Sequence, residues 1–230
     1  MRVLAIADEA DKRLWDMLDR RLLEGVDLIL SCGDLPAEYL SFLTCFTRAP
    51  ILYVHGNHDA RYEKNPPEGC ECIEDKIVNI GGVRVLGLGG SMRYKPGTCM
   101  YSEKEMQKRV GRIKWLIRKN GGFDILLTHA PAKGVGDEDD LAHNGFECFL
   151  ELMKEYCPQV MVHGHVHPSY GIHFQRERAF ESTRVINANQ RAYFDVEPRT
   201  DAVGARGFFR AKAKNGRGFH FLRARTEKDS

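Results

Sequence analysis

Short apolar runs alternate with amphipathic stretches along most of the chain. The run RVLAIA at Arg2–Ala7 is continuous and rich in branched residues, which predicts a buried strand. The same pattern predicts further strands at Asp27–Ser31, Ile51–Val54, Asp124–Thr128 and Gln159–Val162. Shorter strands are predicted near Gly171–Phe174, at Arg184–Ala188 and at Ala192–Val196.

Helices are predicted where leucines and other apolar residues recur at helical spacing. Three leucines share one face of the helix predicted over Asp11–Glu24. Further helices are predicted at Pro36–Phe46, Ser102–Lys119 and Gly145–Cys157. The long helix at Ser102 opens with a capping box, in which Glu105 stands three residues after the serine.

A hairpin is predicted in the middle of the chain, where Lys76–Ile80 and Val83–Leu88 flank the turn Gly81-Gly82. Strands that alternate with helices early in the chain, followed by hairpins, indicate an α/β fold with mixed sheets. We expect one domain over residues 1–197 and a separate tail over residues 198–230.

Composition excludes several classes of protein. Hydrophobic residues make up 43% and charged residues 29% of the 230 positions, as in soluble globular domains. No apolar run approaches the length needed to cross a bilayer, and the N-terminus does not have the pattern of a secretory signal. The seven cysteines form no regular framework, so we expect them to be reduced and the protein to be cytoplasmic.

Charge is distributed unevenly. Residues 198–230 contain nine Lys/Arg and three Asp/Glu, whereas residues 1–197 contain 25 and 29. A basic tail can contact nucleic acid or another anionic surface. We expect instead a solvated, poorly ordered terminus with no nucleic-acid partner.

Acids and imidazoles fall just past the ends of five predicted strands. In an open α/β sheet, the carboxyl ends of the strands form the edge at which ligand sites lie. The residues at these positions are Asp8, Asp34, Asn57, His58, Asp59, His129, His165 and His167. Such a mixture of oxygen and nitrogen donors suits Mn²⁺, Fe or Zn²⁺, and one carboxylate can bridge two metals.

Each of these residues alone is ordinary, but their order is informative. The motifs Gly33-Asp34, Gly56-Asn57-His58-Asp59 and Gly164-His165-Val166-His167, with Asp8 before them and His129 between them, resemble the calcineurin-like metallophosphoesterases. The resemblance covers roughly residues 2–196. It implies a four-layer α/β/β/α sandwich with two mixed sheets, and hydrolysis of a phosphodiester or phosphomonoester by a metal-bound hydroxide.

The resemblance also implies roles for individual residues and a cofactor of two divalent metals. Asp34 is similar to the family's bridging carboxylate. The other ligands of one metal are then Asn57, His129 and His165, and those of the second are Asp8 and His167. His58 resembles a residue that contacts the phosphate and protonates the leaving group, and Asp59 would orient that side of the site.

The sequence departs from the family pattern at one position. The family has Asp-x-His after the first strand, whereas this chain has Asp8-Glu9-Ala10. We therefore expect the second metal to bind more weakly and the site to favour a hard metal such as Mn²⁺. Glu9 or Asp11 is an alternative ligand. If the second metal is lost, the chain would be a binding or scaffold protein with little catalysis.

Substrate contacts are expected from two loops. Arg93 is a candidate for a bidentate phosphate contact, Tyr94 for stacking on a base, and His143 for a contact from the loop after His129. We expect a phosphoester substrate, with a nucleotide-like one among the candidates, and no membrane partner. Other nucleotide and acyl-transfer chemistries lack their motifs, since neither G-x-x-x-x-G-K-[ST] nor G-x-S-x-G occurs.

Overall fold

A computed structural model describes residues 1–167 and 175–199 of the chain. Its first sheet has five strands in the order β13-β1-β2-β3-β4. These strands are β1 (Arg2–Ile6), β2 (Leu28–Ser31), β3 (Ile51–Tyr53), β4 (Glu71–Cys72) and β13 (Ala192–Asp195). The strands β1 to β4 are parallel to their neighbours and β13 is antiparallel, so the sheet is mixed.

The second sheet has six strands in the order β11-β12-β10-β9-β6-β5. Its strands are β5 (Ile77–Ile80), β6 (Val83–Leu88), β9 (Ile125–Thr128), β10 (Val160–His163), β11 (Glu177–Phe180) and β12 (Thr183–Asn187). The four central strands are parallel, and the outer pairs β5–β6 and β11–β12 are antiparallel. Two short strands, β7 (Ser91–Met92) and β8 (Met100–Tyr101), pair with each other.

The two sheets face each other across a shared core, and helices cover their outer faces. Val3 and Ala5 of β1 point into the core between the sheets, while Leu4 and Ile6 point into the outer layer. That outer layer includes α1 (Ala37–Thr44), and the opposite layer consists of α2 (Glu103–Lys119) and α3 (Glu147–Tyr156). The predicted four-layer α/β/β/α arrangement of two mixed sheets is therefore confirmed.

The prediction of one helix over Asp11–Glu24 is wrong. Two short 3-10 helices, Lys12–Leu14 and Arg20–Leu23, stand in its place. The carboxylate of Asp11 accepts a hydrogen bond from the backbone of Arg13, and the carboxylate of Asp19 accepts one from Arg21. Side-chain caps of this kind compete with continuous helical hydrogen bonding, so the leucine spacing alone was misleading.

Other predicted elements are found with shifted ends. The capping box at Ser102 and Glu105 is present and begins α2. Strands β4, β7, β8 and β11 were not predicted, because each is short or carries no apolar run. The strand predicted near Gly171–Phe174 and nearly all of the basic tail lie outside the described residues.

All seven cysteines are free thiols. Among the described residues, no helix combines the length and the apolar character that crossing a membrane requires.

Candidate metal centre

The predicted site residues meet at one edge of the sandwich, where the parallel strands of both sheets end. Asp8, Asp34 and Asn57 follow β1, β2 and β3 of the first sheet, and His129 and His165 follow β9 and β10 of the second. Hydrogen bonds join the two groups across the core. The backbone N–H of His165 donates to Asp8 Oδ1 at 2.9 Å, and His129 Nδ1 donates to the carbonyl oxygen of Cys32 at 2.8 Å.

Three of these residues have a left-handed backbone. The φ angles of Asp8, Asp34 and His165 are 65°, 59° and 69°. Residues other than glycine adopt this conformation at a cost, and such strained positions are concentrated at functional sites. The turns that follow β1, β2 and β10 therefore orient these side chains toward the edge at the expense of backbone strain.

Two glycines allow the turns after β2 and β3 to touch. A Cβ on Gly33 would lie 2.2 Å from the backbone nitrogen of Gly56, and Gly33 has a φ of 96°. A Cβ on Gly56 would lie 2.0 Å from Asp34 Oδ1. Any larger residue at either position would push the Asp34 and Asn57 turns apart.

Four donors converge in the buried half of the centre. His129 Nε2 lies 3.0 Å from Asn57 Oδ1 and 3.4 Å from Asp34 Oδ2. Asp34, His129 and His165 each offer a ligand atom, and these atoms lie within 4.8 Å of one another. Two imidazoles, a carboxylate and an amide oxygen at this spacing form a donor set suited to Zn²⁺, Fe or Mn²⁺.

Backbone carbonyls fix which nitrogen of each imidazole faces the centre. Because a carbonyl only accepts, His129 Nδ1 must carry the hydrogen that it donates to Cys32. His165 Nε2 likewise donates to the carbonyl oxygen of Ala142 at 2.8 Å. The remaining nitrogens, Nε2 of His129 and Nδ1 of His165, then face the centre, and a metal would bind His129 through Nε2 by displacing the proton that Asp34 stabilises there.

Burial and the ion pair between Asp34 and His129 set the pKa values of the side chains in this buried half. Burial disfavours the charged form of Asp34, but the neighbouring His129 outweighs this effect and lowers the pKa of Asp34 to about 2. Burial also disfavours a charged His129, yet Asp34 raises its pKa to about 9. Burial, followed by the nearby His129, lowers the pKa of His165 to about 3, so its imidazole is neutral and able to bind a metal.

The other half of the centre is more open. Asp8 Oδ2 is buried and accepts no hydrogen bond from the described residues. Burial is the main reason that the pKa of Asp8 is raised. His167 Nδ1 lies 3.4 Å from Glu9 Oε1, and Gln190 Nε2 donates to Glu9 Oε2 at 2.9 Å. The unpartnered Oδ2 of Asp8 is suited to a cation, but among the described residues only Asp34, His129 and His165 bring their ligand atoms within 4.8 Å of one another.

Ala10 stands where the family pattern has a ligand histidine. Its side chain is partly buried and packs against the apolar layer outside the first sheet, which includes Leu14. Of the two alternative ligands, Glu9 lies beside His167, whereas the carboxylate of Asp11 accepts from the backbone of Arg13. The sequence alone gives no signal for this choice, because it depends on the path of the backbone after β1.

His58 and Asp59 occupy different environments in the turn after β3. The backbone N–H of His58 donates to Asp34 Oδ1 at 2.8 Å, and its side chain is exposed. Asp59 is only 1% exposed, and its Oδ2 accepts from the backbone N–H groups of Gly56 at 2.8 Å and Asp34 at 2.7 Å. Asp59 therefore links the turn after β2 to the turn after β3.

The predicted substrate residues are not equally close to the centre. The ring of His143 lies 5.3 Å from that of His165, and its Nδ1 is 2.7 Å from Asp140 Oδ2. Arg93 instead forms an ion pair with Glu105 at 2.9 Å. Tyr94 lies under Lys95 in a separate surface depression. Of the three, only His143 has a described contact with a metal-ligand candidate.

Sequence reasoning missed two groups that shape the site. The carbonyl oxygens of Cys32 and Ala142 orient the imidazoles of His129 and His165. Backbone carbonyls have no residue-type signature, so no sequence pattern points to them.

Comparison with known proteins gives the family. A sequence model described as calcineurin-like phosphoesterase matches residues 1–169, so the chain belongs to this family. No curated protein matches.

Among solved structures, TT1561 of Thermus thermophilus is similar with a TM-score of 0.57 and 17% identity, over 82% of this chain and 88% of that one. This likeness shows a shared fold. A conserved protein of Streptococcus pneumoniae, described as a predicted phosphoesterase, has a TM-score of 0.37 and 13% identity, over 84% of this chain and 83% of that one.

Proposed function

We propose that this member of the calcineurin-like phosphoesterase family is an active hydrolase that uses two divalent metals, with Mn²⁺ preferred, to cleave a phosphodiester or an activated aryl phosphomonoester. The observation that carries the proposal is the convergence of Asp34, His129 and His165 within 4.8 Å at the edge where both sheets end. Asn57 adds an amide oxygen 3.0 Å from His129 Nε2.

The donors divide into two groups. Asp34, Asn57, His129 and His165 would hold the first metal, with the imidazoles bound through the nitrogens that do not donate to Cys32 and Ala142. Asp8, Asp34 and His167 would hold the second, with the unpartnered Oδ2 of Asp8 as its buried ligand atom. When bound, two divalent metals polarise a phosphoryl group and activate water for in-line attack.

The remaining residues would bind and orient the substrate. His58 is exposed beside Asp34, where its imidazole can contact a phosphate oxygen and give a proton to the leaving oxygen. Asp59 acts as a positioning residue, because its carboxylate fixes the backbone of Gly56 and Asp34. His143, whose ring lies 5.3 Å from that of His165, is suited to contact the substrate.

The test is hydrolysis of a nitrophenyl phosphodiester and of nitrophenyl phosphate after reconstitution with Mn²⁺, with metal content measured on the same sample. We expect turnover that a chelator abolishes and that His165→Ala reduces to near background. Asn57→Ala should lose activity, whereas the matched control Asn79→Ala should keep it, since Asn79 lies in the β5–β6 hairpin. About one metal per chain without turnover on either substrate would instead support a binding or scaffold protein.

A further inference from the structure

The outer helix α2 has an unusual concentration of positive charge. Its 17 residues hold seven Lys/Arg and two Asp/Glu. The rest of residues 1–197 holds 18 and 27, so the body outside α2 is acidic. The neighbouring helix α3, on the same side of the second sheet, carries three glutamates and one lysine. The charge of α2 is therefore a local feature, not a property of the whole outer layer.

Four of these seven cations form a stripe along the exposed face of the helix. Lys104, Lys108 and Arg112 recur at every fourth residue, and Trp115 and Lys119 continue the same face. All five are exposed. At 3.6 residues per turn they fall within about 80° of arc, and at 1.5 Å per residue they span about 22 Å. We call this set the α2 stripe.

The cations at the start of the α2 stripe are available to a ligand. Among the described residues, Lys104, Lys108 and Arg112 form no ion pair or hydrogen bond through their side chains. The acids nearby already have partners, since Arg109 pairs with Glu74 and Asp75. Free cations that recur about 6 Å apart along a helix are suited to a chain of phosphates.

A cavity extends the same surface. It has a volume of about 790 Å³, and its lining includes Arg93, Tyr101, Lys108 and Arg112. Glu105 of α2, which also lines the cavity, pairs with Arg93 at 2.9 Å. The unpaired charges around the cavity are therefore positive, and its size is in the range of small-ligand sites.

Trp115 supplies an aromatic surface within the stripe. It is 63% exposed, one of three large hydrophobic residues that are exposed among the described residues. Lys119 lies over the indole at 5.9 Å. An exposed aromatic ring among cations is the arrangement that binds single-stranded nucleic acid, because bases stack on the ring while the cations neutralise the backbone.

The α2 stripe is less suited to binding a membrane surface. An interfacial helix needs an apolar face that enters the lipid. The apolar residues of α2 already pack in the core, and they are Met106, Val110, Ile113 and Ile117. Of the remaining apolar side chains of α2, Leu116 is half-buried and Trp115 is exposed, which is too little for an apolar face.

We propose that the α2 stripe binds single-stranded nucleic acid, with backbone phosphates on Lys104, Lys108 and Arg112 and a base stacked on Trp115. The sequence analysis expects no nucleic-acid partner at the basic tail, whereas this site lies in the folded body. Binding here does not depend on the chemistry of the metal centre.

The test is fluorescence anisotropy of a labelled 20-nucleotide oligo(dT) with the full chain, in EDTA so that no metal-dependent cleavage occurs. The variant Lys104→Gln/Lys108→Gln/Arg112→Gln should bind at least tenfold more weakly. Its slope of log K against log salt should be shallower by about 2, as expected for three lost phosphate contacts. The matched triple variant Lys12→Gln/Arg48→Gln/Lys64→Gln removes three exposed charges elsewhere and should bind as the wild type does.

A second pair of variants isolates stacking. Trp115→Ala should weaken binding about tenfold, and Trp115→Phe should restore most of it. Circular dichroism should give unchanged melting temperatures, because all the substituted side chains are exposed. Wild-type affinity for oligo(dT) in the α2 triple variant would overturn the proposal. Tighter binding of a duplex than of oligo(dT), unchanged by Trp115→Ala, would also overturn it. So would a triple variant that loses binding to phosphatidylserine vesicles but not to oligo(dT).

Discussion

The two halves of the metal centre differ in burial and in completeness. His129 is fully buried, and Asn57 and His165 are each 6% exposed. In the other half, the side chains of His167 and Glu9 are 25% and 51% exposed. The first half has its four expected donors, whereas the second has Ala10 in place of a histidine.

The comparison shows how two halves of a metal centre at one edge of the sandwich can differ in metal affinity. In the buried half, carbonyls of Cys32 and Ala142 fix the imidazoles before any metal arrives, so little ordering remains for binding. In the open half, the pair between His167 and Glu9 is exposed to solvent and contributes little to rigidity. We therefore expect the buried half to bind metal tightly and the open half to set the metal dependence of activity.

The largest effect should come from the residue that both halves share. Asp34→Asn keeps the size of the side chain but removes the charge between the two metals. We expect kcat on a nitrophenyl phosphodiester to fall by about 10³-fold. Mn²⁺ should also lose most of its effect on the melting temperature, measured by differential scanning fluorimetry. Asp195→Asn, on the exposed side of β13, is the control and should behave like the wild type. Full activity of Asp34→Asn would mean that the shared ligand is wrongly assigned.

His167→Gln should separate the halves. The substitution removes an imidazole from the open half and leaves the buried four donors intact. We expect the Mn²⁺ concentration at half-maximal activity to rise by about 10- to 100-fold, with most of kcat recovered at saturation. His143→Gln makes the same change near the buried half, where it should alter KM without shifting the Mn²⁺ titration. A similar shift in both variants would contradict the division into two halves.

Glu9→Gln should have a smaller effect and should show what Glu9 does. If Glu9 only pairs with His167, the half-saturating Mn²⁺ concentration should rise by less than about tenfold. A shift as large as that of His167→Gln would instead mark Glu9 as a ligand in place of the missing histidine. The control is Glu24→Gln, an exposed glutamate after the second 3-10 helix.

The smallest change is expected from Ala10→His, which restores the family's residue. Because Ala10 packs against the apolar layer, a histidine there must leave that contact before it can reach the centre. We expect the half-saturating Mn²⁺ concentration to fall by less than about tenfold, together with a lower melting temperature. An unchanged titration would mean that Glu9 already serves this position or that the second metal is not used.

Much of the fold was predictable because its signals are local. The apolar run of β1 is continuous since both faces of the strand are buried, and Ser102 with Glu105 marks the start of α2 by satisfying its own N-terminal amides. Prediction failed where local signals compete. The leucines after Asp11 have helical spacing, but the carboxylates of Asp11 and Asp19 cap shorter 3-10 turns instead.

Residue type and short-range spacing were enough to predict the long apolar strands, the three α-helices and the set of donors at strand ends. Which nitrogens of His129 and His165 face the centre depends instead on tertiary contacts, because the carbonyls that orient them belong to Cys32 and Ala142, far away along the chain. Tertiary contacts also place Glu9 beside His167 and pack Ala10 against the apolar layer outside the first sheet. These outcomes depend on contacts between distant segments, whose geometry no local pattern encodes.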